Sequence, residues 1–174
     1  MAFCEEQVIP AMTAEEVRRV VYLSRFHDIG KQGLPRAVLQ KSGKLTMEEC
    51  RVLLQHPALG VRLLRSIPAL RQYPYYDVLC DICLHHHERW DGGGYPDGLT
   101  GRHITPYVHV VALADAYDAL RTARPYKPSL SHGDAMSMIC GGACGAFDPE
   151  MITCLQELPE AFFAACYGEE RRVG

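Results

Sequence analysis

Apolar residues recur along this chain at helical spacing, and almost nowhere do they alternate as strand residues would. In "TAEEVRRVVYLSRF", Val17, Val20, Val21 and Ser24 fall along one face behind a capping box made by Thr13 and Glu16. "TMEECRVLLQHPALGVRLLRSI" opens the same way with Thr46 and Glu49, breaks where Pro57 follows His56, and resumes through Val61, Leu64 and Ile67. This pattern predicts two packed helices with a corner at His56. "DVLCDICLHHHE" predicts a helix that ends at a glycine loop, and "PYVHVVALADAYDALRT" one with Pro106 in its first turn. "SHGDAMSMI" and "PEMITCLQEL" predict two more, and "RPYKPSLSHG", residues 124–133, a polar loop leading into the first of them. The expected fold class is all-α.

With 174 residues, 48% apolar and 22% charged, the chain can bury one substantial core. The expected organisation is an N-terminal extension over 1–12, one domain over 13–167 and a charged tail over 168–174. A net charge of -3 and a pI near 6.2 give no basic field for long nucleic acid, so phosphate binding has to come from a few placed side chains. No run approaches a membrane span, and "MAFCEEQVIP" is acidic where a signal peptide would be basic, so a cytoplasmic location is expected. Eight cysteines, with Cys80 and Cys83 inside an apolar helical stretch, are expected to be reduced and mostly buried as small apolar side chains.

The chemistry is concentrated in histidines and carboxylates. "FHDIGK" sets His27 beside Asp28 at the end of the first strong helix. Neighbours on a helix point about 100° apart, so one metal takes both only if the backbone turns there, whereas two metals can share a bridging carboxylate. Asp28 is the candidate bridge. His56 at the helix corner, His86 and His87 before the glycine loop and Asp115 in the following helix complete a set of nitrogen and oxygen donors. Such a set suits iron, manganese or zinc rather than a thiolate centre.

"HDIGK", "HHERWDGGGYPDG", "ADAYDAL", "RPYK" and "FDP" stand in the order and approximate spacing of the HD-GYP domain, and the chain resembles that family from about residue 15 to 157. The family belongs to the HD metal-dependent phosphohydrolases. The resemblance implies an HD-type helical bundle with a GYP loop and two or three divalent metals, iron or manganese first, with zinc, magnesium or nickel as alternatives. It also implies hydrolysis of cyclic di-GMP to linear pGpG, in some members on to GMP. By the same resemblance His27, Asp28, His56, His86, His87 and Asp115 are the metal ligands, and His85 is not one. Lys31 faces the metals or a substrate phosphate and, with Asp28, is assigned to catalysis. Gly94, Tyr95 and Pro96 line the ligand pocket, Glu88 and Asp91 hold the loop, and Arg124 and Lys127 grip phosphates. Metal coordination lowers the pKa of water from about 16 toward 7, so no protein nucleophile is required.

One feature departs from the pattern. Family members carry a further ligand histidine roughly thirty residues before the HD pair, whereas the first histidine here is His27 itself. Three readings stay open: an active cyclic di-GMP phosphodiesterase, an impaired relative that binds cyclic di-GMP or a protein partner, and a phosphohydrolase of another nucleotide. A homodimer through the face the absent helix would cover, and a sensor or receiver module outside this sequence, are further expectations.

Overall fold

The computed structural model describes residues 12–123 and 128–167, with side chains to residue 164. Among them the only β-pairing is two isolated bridges, Asp91 with Thr100 and Ala143 with Gly145, so the described architecture is all-helical. The helices are α1 (Ala14–Ser24), α2 (Arg36–Leu39), α3 (Met47–Leu53), α4 (His56–Arg65), α5 (Tyr76–His85), α6 (Pro106–Arg121), α7 (His132–Cys140), α8 (Pro149–Glu157) and α9 (Pro159–Tyr167). Three 3₁₀ turns join them, Ile29–Gly33, Pro68–Gln72 and Gly101–His103. No helix is long and apolar enough to cross a membrane.

Local chemistry sets the helix starts. Thr13 and Thr46 each accept from the backbone of a glutamate three residues on, and Glu16 and Glu49 reach back to the cap backbone, so both capping boxes form. Pro106 and Pro149 occupy first-turn positions, where a missing N–H costs no helical hydrogen bond. The chain bends between Leu53 and His56, as Pro57 predicts, and α4 begins at the corner. The short α2 and the final α9 have no counterpart in the sequence expectations.

The described core has two buried clusters. Val20 and Leu23 of α1, Val61 and Leu64 of α4, Leu79, Ile82 and Cys83 of α5, and Val108 and Val111 of α6 form the first. Ala112, Leu113, Tyr117 and Leu120 of α6 join α7, α8 and Phe162 in the second. The two meet along α6, which buries residues around most of its circumference. The predicted apolar face of α1 is corrected in one respect: Val21 is 58% exposed, and Leu23 is buried in its place. A residue at position 21 points about 100° from Val20, beyond the stripe that packs on α5.

Two glycines allow the elements beneath the site to close up. A Cβ on Gly30 would lie 1.9 Å from the His56 carbonyl oxygen and 2.4 Å from the Gly60 nitrogen. The 3₁₀ turn after Asp28 therefore rests directly on the backbone of α4, which fixes Asp28 relative to His56.

Candidate metal centre

Four elements deliver side chains to one point. α1 stops at Ser24, and a tight turn carries the chain through His27 and Asp28 into the 3₁₀ segment. That turn is the backbone bend needed for two consecutive residues to face one site: His27 Nε2 lies 3.3 Å from Asp28 Oδ2. His56 enters from the start of α4, His86 and His87 from the end of α5, and Asp115 from the middle of α6.

The ring orientations are fixed from behind. Nδ1 of His27 faces the Ser24 carbonyl at 2.7 Å, Nδ1 of His56 the Leu53 carbonyl at 2.8 Å, and Nδ1 of His86 the Cys83 carbonyl at 3.1 Å. A carbonyl only accepts, so each Nδ1 carries a proton, and a ring so held presents its Nε2 lone pair whenever it is neutral. Those lone pairs converge: His56 Nε2 is 3.2 Å from His86 Nε2 and 3.1 Å from Asp28 Oδ1. Asp28 Oδ1 is buried and makes no hydrogen bond. Lone pairs and a carboxylate oxygen pressed together without protons between them are a poor arrangement for a protein alone and a good one for a cation.

Ligand atoms of Asp28, His56, His86 and His87 all lie within 4.8 Å of one another, so this set fits a metal ion. Asp28 turns its second oxygen the other way, toward His27 and to an ion pair with Lys31 Nζ. His27 Nε2 is in turn 3.5 Å from Asp115 Oδ1, and His87 Nδ1 is 4.0 Å from Asp115 Oδ2. One carboxylate thus faces two groups of donors.

The electrostatics agree with that division. Burial, then the charge on His27, pushes His86 down to about 4, and burial with His86 pushes His87 down to about 3. Both rings are therefore neutral near pH 7, the state that donates to a metal. Burial also works against a proton on His27, but the carboxylates of Asp115 and Asp28 outweigh it and raise His27 to about 10. Burial acts to raise Asp28, yet His27 and Lys31 hold it well below the carboxylate range.

The glycine loop is built onto the end of α5. Glu88, 1% exposed, accepts from the backbone N–H of Asp97 at 2.7 Å, Gly98 at 3.1 Å and Leu99 at 3.0 Å, and Asp91 accepts from Gly93 at 2.9 Å. Both residues therefore hold the loop, as expected. A Cβ on Gly94 would meet the Glu88 Cα at 2.4 Å and the His87 carbonyl oxygen at 2.5 Å, so the loop backbone lies against the helix end. Tyr95 stacks on His87, ring centroids 4.7 Å apart and 21° from parallel, and the Tyr95–Pro96 peptide is cis.

Several contacts near the site were not foreseen from sequence, although His85 was expected to lie outside the ligand set. His85 turns away from the centre, its Nδ1 2.6 Å from Asp81 and its Nε2 3.0 Å from Asp97. Asp81 also accepts from the hydroxyls of Thr105 and Tyr107, so this group ties α5, the loop and the start of α6. Arg89 is half-buried, donating to the Cys144 and Glu88 carbonyls with its guanidinium over Phe147. Polar residues inside an apolar helix were the only available signal, and their partners lie too far away in sequence to pair by spacing. Arg124 and Lys127 fall outside the described residues.

A model of the HD domain family matches residues 10–151. The chain is 42% identical over 140 residues to a cyclic di-GMP phosphodiesterase of Vibrio cholerae, which covers 80% of this chain and 28% of that protein. It is 40% identical over 144 residues to the cyclic di-GMP phosphodiesterase response regulator RpfG of Xanthomonas campestris, 83% of this chain and 37% of that protein. It is 32% identical over 164 residues to the 3'3'-cGAMP-specific phosphodiesterase 2 of Vibrio cholerae, 93% of this chain and 30% of that one. The chain spans about a third of the length of the curated relatives it matches.

Proposed function

Taking as premise that the chain belongs to the HD domain family, we propose that it is a metal-dependent phosphodiesterase that opens cyclic di-GMP to linear pGpG. The observation that carries this reading is the convergence of His27, Asp28, His56, His86, His87 and Asp115 from four elements, with the imidazole lone pairs of His56 and His86 aimed at the buried Asp28 oxygen. Relatives named for cyclic di-GMP are 37–42% identical and those named for 3'3'-cGAMP are 31–33% identical, which favours the former substrate and makes the latter the second reading.

One metal position would take Asp28 Oδ1, His56, His86 and His87, and a second would take Asp28 Oδ2, His27 and Asp115. Divalent iron or manganese bound there supplies Lewis acidity and an activated water. The protein's own contribution is placement. The backbone carbonyls behind His27, His56 and His86 lock the rings, Asp28 joins the two positions, and Lys31 brings a cation to the edge where a phosphoryl oxygen gains charge. Gly94, Tyr95 and Pro96, fastened through Glu88, form a fixed wall for the ligand, and Arg124 and Lys127 are assigned to its phosphates.

The test is anaerobic purification with metal quantification, followed by incubation with cyclic di-GMP and, separately, 3'3'-cGAMP, with chromatography of the products. Two equivalents of metal and pGpG formation are expected. A protein that holds metal but opens neither cyclic dinucleotide refutes the reading.

A further inference from the structure

A groove of about 650 Å³ shares Lys31 with the metal centre and is otherwise walled by the α2–α3 segment, chiefly Val38, Leu39, Lys41, Lys44 and Leu45. Its volume lies within the roughly 300–1,000 Å³ typical of small-molecule sites and exceeds what a lone phosphate needs. Two properties of its wall point to the kind of occupant. No residue of the 35–55 segment belongs to either buried cluster, so its apolar side chains do not serve the core. Leu39 is left 41% exposed. Beside these aliphatic groups stand three ammonium groups in different states of pairing. Lys31 is matched by Asp28 and Lys41 by Glu49, whereas Lys44 makes no ion pair among the described residues.

An apolar wall with one uncompensated cation, sharing Lys31 with the centre proposed to act on phosphodiesters, suits a ligand with a flat apolar part and a phosphate. We infer that this groove is a nucleotide subsite: it takes one nucleoside phosphate unit of the substrate or product, its base against Val38, Leu39 and Leu45 and its phosphate on Lys44. This rests on the proposal that the centre acts on a cyclic dinucleotide. The groove extends that site beyond the GYP loop, so the dinucleotide is held on both sides of Lys31.

The test uses the full chain loaded with metal, labelled at Leu and Val methyls and titrated with GMP. GMP is expected to move the Leu39, Leu45 and Val38 methyl resonances. Lys44→Glu is expected to weaken that binding about tenfold, the loss of one charge-assisted contact, and Leu39→Ser to weaken it as well. Both positions are on the surface, and unchanged circular dichroism and melting temperature confirm that the variants fold. Methyl resonances that stay in place, or a Lys44→Glu variant that binds GMP as tightly as the parent, overturn the subsite. Turnover of cyclic di-GMP without groove shifts removes the subsite alone. Groove shifts without turnover leave the groove as a nucleotide site and remove the proposed reaction, and with it the groove's role as a subsite of that reaction.

Discussion

Tyr95 lies flat on His87, 4.7 Å between ring centres, so the tip of the glycine loop braces a residue of the candidate metal centre. The stack is worth about 0.5–1.5 kcal/mol beyond simple burial, and removing a partner that orients a metal ligand typically costs about 10–100-fold in affinity. Tyr95→Leu is expected to weaken metal binding about tenfold, measured by competition with a chromophoric chelator, and Tyr95→Phe to leave it nearly unchanged. Equal affinities in all three proteins would show that the stack does not position His87.

Metal removal is expected to destabilise the fold. Saturating a site at a hundred times its dissociation constant adds about 2.7 kcal/mol, which for a chain of this size moves the melting temperature by about 5–10 °C. Adding Mn²⁺ to protein stripped by chelator should produce that rise. Asp28→Asn should abolish both the rise and turnover, since one carboxylate faces both donor groups. A variant that keeps the full thermal shift would exclude Asp28 as the bridge.

Gly30→Ala is expected to cost about 3 kcal/mol or more, because the new methyl would meet the backbone of His56 and Gly60 rather than a side chain able to swing away. Gly33→Ala, where the nearest atom is a leucine methyl at 3.6 Å, is the control and should change stability little. Urea denaturation separates the two, and comparable midpoints would mean that the close approach of the 3₁₀ turn to α4 is not needed.

A pH dependence follows from His109, which is buried, donates to the Gly101 carbonyl and packs against Trp90. Burial lowers its pKa below the ordinary 6.5, so the unfolded chain takes up the proton first as pH falls. Its effect on stability is absent well above pH 6.5 and destabilising below it, growing until the folded state also titrates. His109→Gln keeps a donor and removes the titration. Against the parent, its unfolding free energy, followed through the single tryptophan, should improve on going from pH 8 to pH 5.5. A constant difference between the two proteins would exclude His109 as the source.

Much of this fold could be read from residues close together in the chain. The capping boxes at Thr13 and Thr46, the corner before Pro57 and the first-turn proline of α6 each depend on contacts within four residues, and all four appear where the pattern puts them. The donor types were legible for the same reason, since His27 with Asp28 and His86 with His87 are adjacent. What could not be read is what depends on distant packing. The exposure of Val21, the seating of Gly30 on α4, the setting of His85 between Asp81 and Asp97, and the groove beside Lys31 all follow from how separate helices meet.

The seam along α6 gives the centre a mechanical side. His27, Asp28, His56, His86 and His87 all hang from one half of the molecule, while Asp115 projects from the stretch of α6 whose apolar neighbours Leu113 and Ala116 belong to the other. An ion held by both groups would act as a rivet between the halves, and the stripped protein would be free to come apart in two stages where the loaded one lets go at once.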